Sequence, residues 1–371
     1  MSTISCHIGI LGAGQLGRML AMAGYPLGHK FGFYGLSHDE PASMLGHMHT
    51  PTQENTDDTS NLDDLVSFAD VITFESENTS VELVKQISQI TPVYPSATSL
   101  YYAQDRGREK ALFNQLAIPC APYALVNNLT DLEAAVNTIG LPAVLKTTTE
   151  GYDGKGQFVI KQPEQLYQAW LSIGERPAIL EGFVNFKREL SIIAVRNANN
   201  EHVYYSLVEN QHRDGILRLT LAPAQQIDPA IQQQAERYMQ ALLDKMGHVG
   251  VLTLELFETE AGLVANEMAP RVHNSGHWTM EGAQTSQFEN HIRAISGLPL
   301  GSTAARQPFA AMVNIIGEHG DIQAALKLPN VHVHLYDKAE RAGRKLGHIN
   351  VLANSQAELN QTLEQLQAWL S

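Results

Sequence analysis

Four clusters in this chain have the residue types and spacing for chemistry on phosphates and small acids. The first is a carboxylate pair. In Gly250-Val-Leu-Thr-Leu-Glu-Leu-Phe257 the leucines alternate with Thr253 and Glu255, so Glu255 points away from the apolar face of a strand. A turn of about five residues returns the chain along Leu263 to Glu267, which sets Glu267 opposite Glu255 on the same face. Paired carboxylates repel unless a proton or cation joins them, and for hard oxygen ligands the natural cation is Mg²⁺ carrying nucleotide phosphates. A solvated sheet face is the plain alternative for the pair alone. Directly after it, Arg271-Val-His-Asn-Ser-Gly-His277 offers a guanidinium, two imidazoles and Asn274, the make-up of an anion-binding loop. His273 and His277 also have i, i+4 spacing, but Gly276 argues against a helix and no third zinc ligand is evident.

The second cluster is Lys146, at the end of an apolar strand, with Glu150-Gly-Tyr-Asp-Gly-Lys-Gly156 and Gln157 after it. Its three glycines let the backbone approach a triphosphate and present N–H groups, and the lysine adds a point charge. A mobile hairpin without function is the alternative. The third is Gly12-Ala-Gly-Gln-Leu-Gly17, the G-x-G-x-x-G pattern of dinucleotide sites. An NAD site needs an acid closing the second strand. Here that strand ends Phe-Tyr-Gly-Leu36, with Asp39 beyond it, and the fit is poor. The fourth, Lys338-Ala-Glu-Arg-Ala-Gly-Arg-Lys345, sets four cations within eight residues, a clamp for a phosphate monoester or a solvated basic loop.

Alternating strands and helices must position these groups. Strands at 7–11, 31–36 and 71–74, with helices between, predict a parallel sheet whose ligands bind beyond the carboxyl ends of the strands. The glycines of the third cluster lie there with Glu75 and Glu77. A capping box at Thr130–Glu133 opens a helix that ends at Gly140, and strands at 143–147, 157–161 and 178–181 complete a small α+β unit. A strand-rich region follows at 190–196, 203–209, 216–219, 250–257 and 263–268, interrupted by a helix at 229–246. A last amphipathic helix is capped by Ser355, with Glu358 completing the box and Leu359, Leu363, Leu366 and Leu370 as its buried stripe.

With 371 residues, 44% of them hydrophobic, the chain has material for about two to four packed units. Its 25 basic and 39 acidic residues give a formal charge of −14, which disfavours non-specific binding to nucleic acid or anionic membranes. Cys6 and Cys120 alone make no disulfide framework. The N-terminus lacks the basic flank of a signal peptide and no run is long enough to span a membrane, so a cytoplasmic protein is expected.

Taken together, these residues resemble one family, the 5-(carboxyamino)imidazole ribonucleotide synthetases, ATP-grasp ligases of bacterial purine biosynthesis. GAGQLGRML at 12–20, TFESEN at 73–78, GYDGKGQ at 151–157, ANEMAPRVHNSGHWT at 265–279 and RAGRKLGHIN at 341–350 follow its pattern in order over nearly the whole chain. Arginine stands in some relatives where this chain has Lys155. The strings after Glu267 and around Arg344 speak against a formate-activating transformylase of the same superfamily. An NAD-dependent dehydrogenase would rest on the first glycines alone, and a nucleotide sensor would not need both carboxylates.

The resemblance implies an α/β and α+β protein of ATP-grasp architecture. Its parts would be a Rossmann-like pre-ATP-grasp domain (1–105), a lid with the glycine-rich loop (106–184), a large domain with the metal carboxylates (185–308) and a C-terminal subdomain with the basic loop (309–371). ATP would meet Arg106, Lys146 and the loop Gly151, Tyr152, Asp153, Gly154, Lys155, Gly156 and Gln157. The adenine hinge would be Glu181, Gly182, Phe183 and Val184, with Glu189, His212, Asn266 and Glu267 also at the nucleotide. Glu255 and Glu267 would hold Mg²⁺ (or Mn²⁺), two ions in all. Arg271, His273 and Asn274, with Tyr152, Asp153 and Lys155, would serve bicarbonate and its activated form. Gln15, Leu16, Glu75, Glu77, Arg344 and Lys345 would hold aminoimidazole ribonucleotide. A homodimer is expected, with small molecules as the other partners.

Overall fold

The first hundred residues alternate short apolar strands with helices, and such units pair in parallel. A computed structural model, which describes residues 5–35, 40–51, 60–151 and 156–370, shows the outcome. Strands His7–Leu11, Lys30–Gly35, Met48–Pro51 and Val71–Phe74 form a parallel sheet, with His7–Leu11 between Lys30–Gly35 and Val71–Phe74. Residues 36–39 and 52–59, including Leu36 and Asp39, lie outside the described residues.

The small middle unit is an antiparallel sheet ordered Tyr123–Val126, Ala178–Gly182, Ala143–Thr147, Gln157–Ile160. Its core includes Val126, Leu132, Leu145, Trp170 and Leu180. Its first helix, Leu129–Ile139, is capped two residues earlier than the expected box would place it. Asn128 is the cap, accepting from Asp131 N, while the Asp131 carboxylate accepts from Asn127 N. Asparagine is a stronger N-cap than threonine, in keeping with Asn128 taking the position in place of Thr130. Gly140 ends the helix at φ +85°.

The remainder centres on one nine-stranded antiparallel sheet. The expected single strand at 203–209 is two, His202–Tyr204 and Val208–Arg213. The chain leaves the sheet where Tyr205 drops into the core and its hydroxyl donates to Thr285 O. Helix Pro229–Met246 runs over the residues expected, with Asp228 accepting from Ala230 N at its start and Gly247 left-handed at its end. The last strands, Phe309–Ile316, Val331–Leu335 and Lys345–Ala353, extend the same sheet, so it is continuous across residue 308. Helix Arg106–Gln115 packs into the core of this part, through Leu112 and Phe113 beside Leu254 and Met239. Glu358 completes the final cap by accepting from Asn354 N, one residue before Ser355.

Helices Gln15–Gly24 and Gln287–Ile295 join the first sheet to the large one, in a core shared by Ile10, Phe31, Ile292, Trp278 and Met312. The first and large parts therefore share one core, while the small unit keeps a core of its own. Among the described residues no helix is long and apolar enough to cross a membrane.

Candidate active site

The carboxylate pair sits in a hairpin that is tighter than expected, Gly250–Thr259 and Gly262–Ala269, with only Glu260 and Ala261 at its tip. Leu254 pairs with Met268 and Leu256 with Ala265, so Glu255 faces both Asn266 and Glu267. This β-bulge turns a flat face into a local cluster, a device common beside active sites. Glu255 is pushed up to about 7, first by burial and then by the Glu267 carboxylate. A cation would relieve that repulsion. Among the described residues no three or more His, Cys, Asp or Glu side chains group to hold a metal by themselves. Two hard carboxylates needing outside oxygens to complete a shell suit Mg²⁺ arriving on phosphates.

The loop after the hairpin closes around the same point. His273 Nε2 lies 3.2 Å from Glu255 Oε1, and burial, with Arg271 and Lys345 nearby, holds its ring well below the usual imidazole range. Because Ser275 N donates to His273 Nδ1, the neutral ring carries its proton on Nε2, facing Glu255. Arg271 turns the other way and pairs through Nε with Glu77 of the first domain. Burial pushes Glu77 up, but the guanidinium outweighs it and leaves the carboxylate below its usual range. Asn274 exchanges amide hydrogen bonds with Asn314, at 3.1 and 2.7 Å. The two histidines diverge: His277 faces Gln287 and the ring of His348.

On the opposite side, the Lys146 strand and helix Arg106–Gln115 bring cations to the hairpin. Lys146 donates to Glu181 Oε2 at 2.9 Å, and Glu181 also pairs with Lys110 at 3.6 Å. Glu181 is thus a buried carboxylate held below its usual range by two lysines that outweigh its desolvation. Arg106 opens helix Arg106–Gln115 and donates to Thr147 O, Gly151 O and Glu267. A Cβ on Gly151 would lie 2.9 Å from Arg106 Nη1, and one on Gly156, at φ +70°, 2.8 Å from Thr147 Oγ1. Gln157 begins the strand that follows, while Tyr152, Asp153, Gly154 and Lys155 lie outside the described residues. Gly182 and Phe183 bond the backbone of Pro122 and Pro142, Val184 follows, and Phe183 is exposed. Glu189 pairs with His212 at 2.8 Å across neighbouring strands; burial lowers the His212 ring but Glu189 more than restores it.

The first glycine turn holds a carboxylate of the protein itself. Gly14 N and Gly17 N donate to Glu75 at 2.6 and 2.7 Å. A Cβ on Gly12 would come within 2.4 Å of Glu75. Leu16 packs into the shared core, and Gln15 accepts from Lys338. Arg344 donates to Ala339 O, and Lys345 opens strand Lys345–Ala353, close enough to affect His212, Glu255 and His273.

Sequence reasoning missed Glu109 and Lys110. These neighbours clasp the backbone on either side of Glu267: Lys110 Nζ donates to Asn266 O at 2.5 Å and Glu109 accepts from Met268 N at 2.6 Å. Burial raises Glu109 to about 8. The available signal was two charges, Glu109 and Lys110, following Arg106 on one short helix. Lys338 was seen within the basic string without being singled out, and its contact with Gln15 depends on the tertiary fold.

A small antiparallel sheet carrying Lys146 and a large one carrying paired carboxylates, with Arg106 reaching both Gly151 and Glu267, is the arrangement of an ATP-grasp ligase. The comparisons agree along the chain: residues 5–104 match the ribonucleotide synthetase preATP-grasp domain, 111–288 the ATP-grasp domain and 310–362 the phosphoribosylaminoimidazole carboxylase C-terminal domain. The N5-carboxyaminoimidazole ribonucleotide synthase of Pseudomonas aeruginosa is 46% identical over 361 residues, covering 97% of this chain and 98% of its own. The Thermus thermophilus synthetase structure matches with a TM-score of 0.92 at 46% identity, over 98% of both chains. The Aspergillus clavatus enzyme in complex with ADP and 5-aminoimidazole ribonucleotide matches at 0.89 and 29% identity, over 98% of this chain and 99% of its own. The chain belongs to the N5-carboxyaminoimidazole ribonucleotide synthase family of ATP-dependent ligases.

Proposed function

We propose that the protein carboxylates 5-aminoimidazole ribonucleotide with bicarbonate, consuming ATP and releasing ADP and phosphate. The observation that carries this is the loop 271–277, tied at His273 to the Glu255 carboxylate and at Arg271 to Glu77 of the first domain. An acid activated at Glu255 would there be handed to an amine bound by the first domain.

A bicarbonate oxygen attacks the γ-phosphorus of ATP, the bond to the bridging oxygen of ADP breaks, and carboxyphosphate forms. Lys146 and Arg106 lie where charge grows on the phosphoryl oxygens. Mg²⁺ held by Glu255 and Glu267 would neutralise phosphate charge and fix the γ-phosphate's orientation. The backbone of Gly151 and Gly156 and the Gln157 strand cover the phosphates. Glu181 to Val184 supply the adenine hinge, and Glu189, His212 and Asn266 line the nucleotide. Arg271 and His273 hold bicarbonate. The exocyclic amine then bonds to the carboxyl carbon, losing a proton as phosphate departs. Glu77 and Glu75 flank the aminoimidazole, and Arg344 and Lys345 take its 5′-phosphate. The enzyme works as a cytoplasmic homodimer, which sedimentation of the purified chain tests.

The functional test is ADP release in CO₂-free buffer with single components restored. Turnover should require aminoimidazole ribonucleotide and bicarbonate together. Formate has a hydrogen where bicarbonate has its third oxygen, so a buried donor would be left unpaired and formate should fail. Turnover with formate and glycinamide ribonucleotide instead would overturn the reading.

A further inference from the structure

Gln287 touches no group assigned above to a substrate except through His273, yet it grips the loop that carries that ring. It is the first residue of helix Gln287–Ile295, whose Ser286 cap accepts from Glu289 N, and it is fully buried. Its amide makes a two-point hold on the His273 main chain: Oε1 accepts from His273 N at 3.0 Å and Nε2 donates to His273 O at 2.7 Å. Nε2 also lies 3.2 Å from His277 Nδ1. Gln287 N donates to Thr279 Oγ1, which in turn donates to Gly276 O at 2.6 Å. One residue therefore ties both ends of the turn from His273 to His277.

Two features argue that the amide is there for the loop rather than for filling space. Its orientation is forced, because a reversed amide would set oxygen against the His273 carbonyl and NH₂ against its N–H. And Gly276 makes room for it: a Cβ there would lie 2.5 Å from both Gln287 Oε1 and Ile193 Cδ1. Packing alone needs only an apolar side chain of this size, whereas a buried amide must satisfy every polar atom to be tolerated.

We infer that Gln287 is a positioning residue for bicarbonate activation, holding the His273 backbone at φ −124° and ψ 152° so that its ring stays against Glu255. The inference rests on the reading of His273 as a bicarbonate residue. The cation and glycine contacts assigned to ATP come from other elements, so nucleotide binding should not depend on Gln287.

The test is steady-state kinetics of Gln287→Met, which keeps the length and loses both bonds, and Gln287→Glu, which keeps an acceptor for His273 N. Gly276→Ala pushes the amide away with Gln287 intact. In Gln287→Met, kcat/KM for bicarbonate should fall about 10- to 100-fold while KM for ATP stays within about twofold. Gln287→Glu should fall between it and wild type, and Gly276→Ala should show the same split. Should Gln287→Met fail to fold, the other two variants carry the test. Equal losses towards ATP and bicarbonate, or wild-type bicarbonate kinetics in a folded Gln287→Met, would overturn the assignment. A wild-type enzyme without bicarbonate-dependent ADP release would instead sink the functional reading, before any variant is measured.

Discussion

The two glycine-rich turns use one device with opposite charges. At the first, Gly12, Gly14 and Gly17 make room for Glu75, and two of their N–H groups are spent on its carboxylate. At the second, Gly151 makes room for the Arg106 guanidinium, with Lys146 on the adjoining strand. A turn filled by an anion of the protein has little left for a phosphate, whereas a turn backed by two cations attracts one. Glycine spacing thus shows where backbone comes close to something, and the charge beside it decides what. That contrast supports the proposed assignment of the ribonucleotide phosphate to the basic loop, which reaches Gln15 of the first turn through Lys338.

The largest effect should come from the carboxylates opposite the second turn. Glu255→Gln and Glu267→Gln should each lower ATP turnover on the order of 100-fold or more, with the melting temperature unchanged or raised. Removing Glu255 relieves a repulsion, since burial and Glu267 hold it near 7. Wild-type turnover in either variant would break the assignment of the second half to Mg-ATP.

Next comes the basic loop. Arg344→Ala with Lys345→Ala should raise the KM for aminoimidazole ribonucleotide about tenfold or more and that for ATP far less. Equal rises would place the loop with the nucleotide. A smaller and sharper contrast lies in the glycines themselves. Gly12→Ala puts a Cβ against Glu75 at φ +113°, so it should cost about 2 kcal/mol of stability or more, measured by denaturant unfolding. Gly151→Ala first meets the movable end of Arg106, so it should raise the KM for ATP about a few-fold and change stability little.

The smallest effect concerns Glu109, held at about 8 by burial. Its carboxyl is protonated in the folded protein at neutral pH and ionised in the unfolded chain. The folded state therefore binds the extra proton, and stability from this group falls as pH rises from about 4.5 to about 8. Glu109→Gln, which still accepts from Met268 N, should gain in melting temperature relative to wild type across that range, with the gap widening towards pH 8. A constant difference between the two proteins from pH 5 to 8 would contradict the shift.

Much of this was legible because it is local. The strands at 7–11, 71–74 and 143–147 and the helix at 229–246 are fixed by apolar runs, a proline at the first helical turn and a terminal glycine. The carboxylate pair was legible from period-two alternation, although the bulge that brings both carboxylates together was not. Partnerships were hidden wherever they cross the chain. Nothing near Glu75 says that it turns back 61 residues onto Gly14, and nothing near Lys110 says that it reaches Asn266. The break at Tyr205 was missed for the same reason, since the partner of its hydroxyl is Thr285.

The central claim is that bicarbonate is activated by phosphoryl transfer at the Glu255–His273 corner. Oxygen-18 in the released phosphate tests it most directly. With bicarbonate labelled at all its oxygens, the attacking oxygen stays on phosphorus when the carboxyl carbon is lost to the amine or as CO₂. Phosphate from the complete reaction should therefore carry one labelled oxygen, in step with ADP. Unlabelled phosphate accompanying full carboxylation would contradict the account.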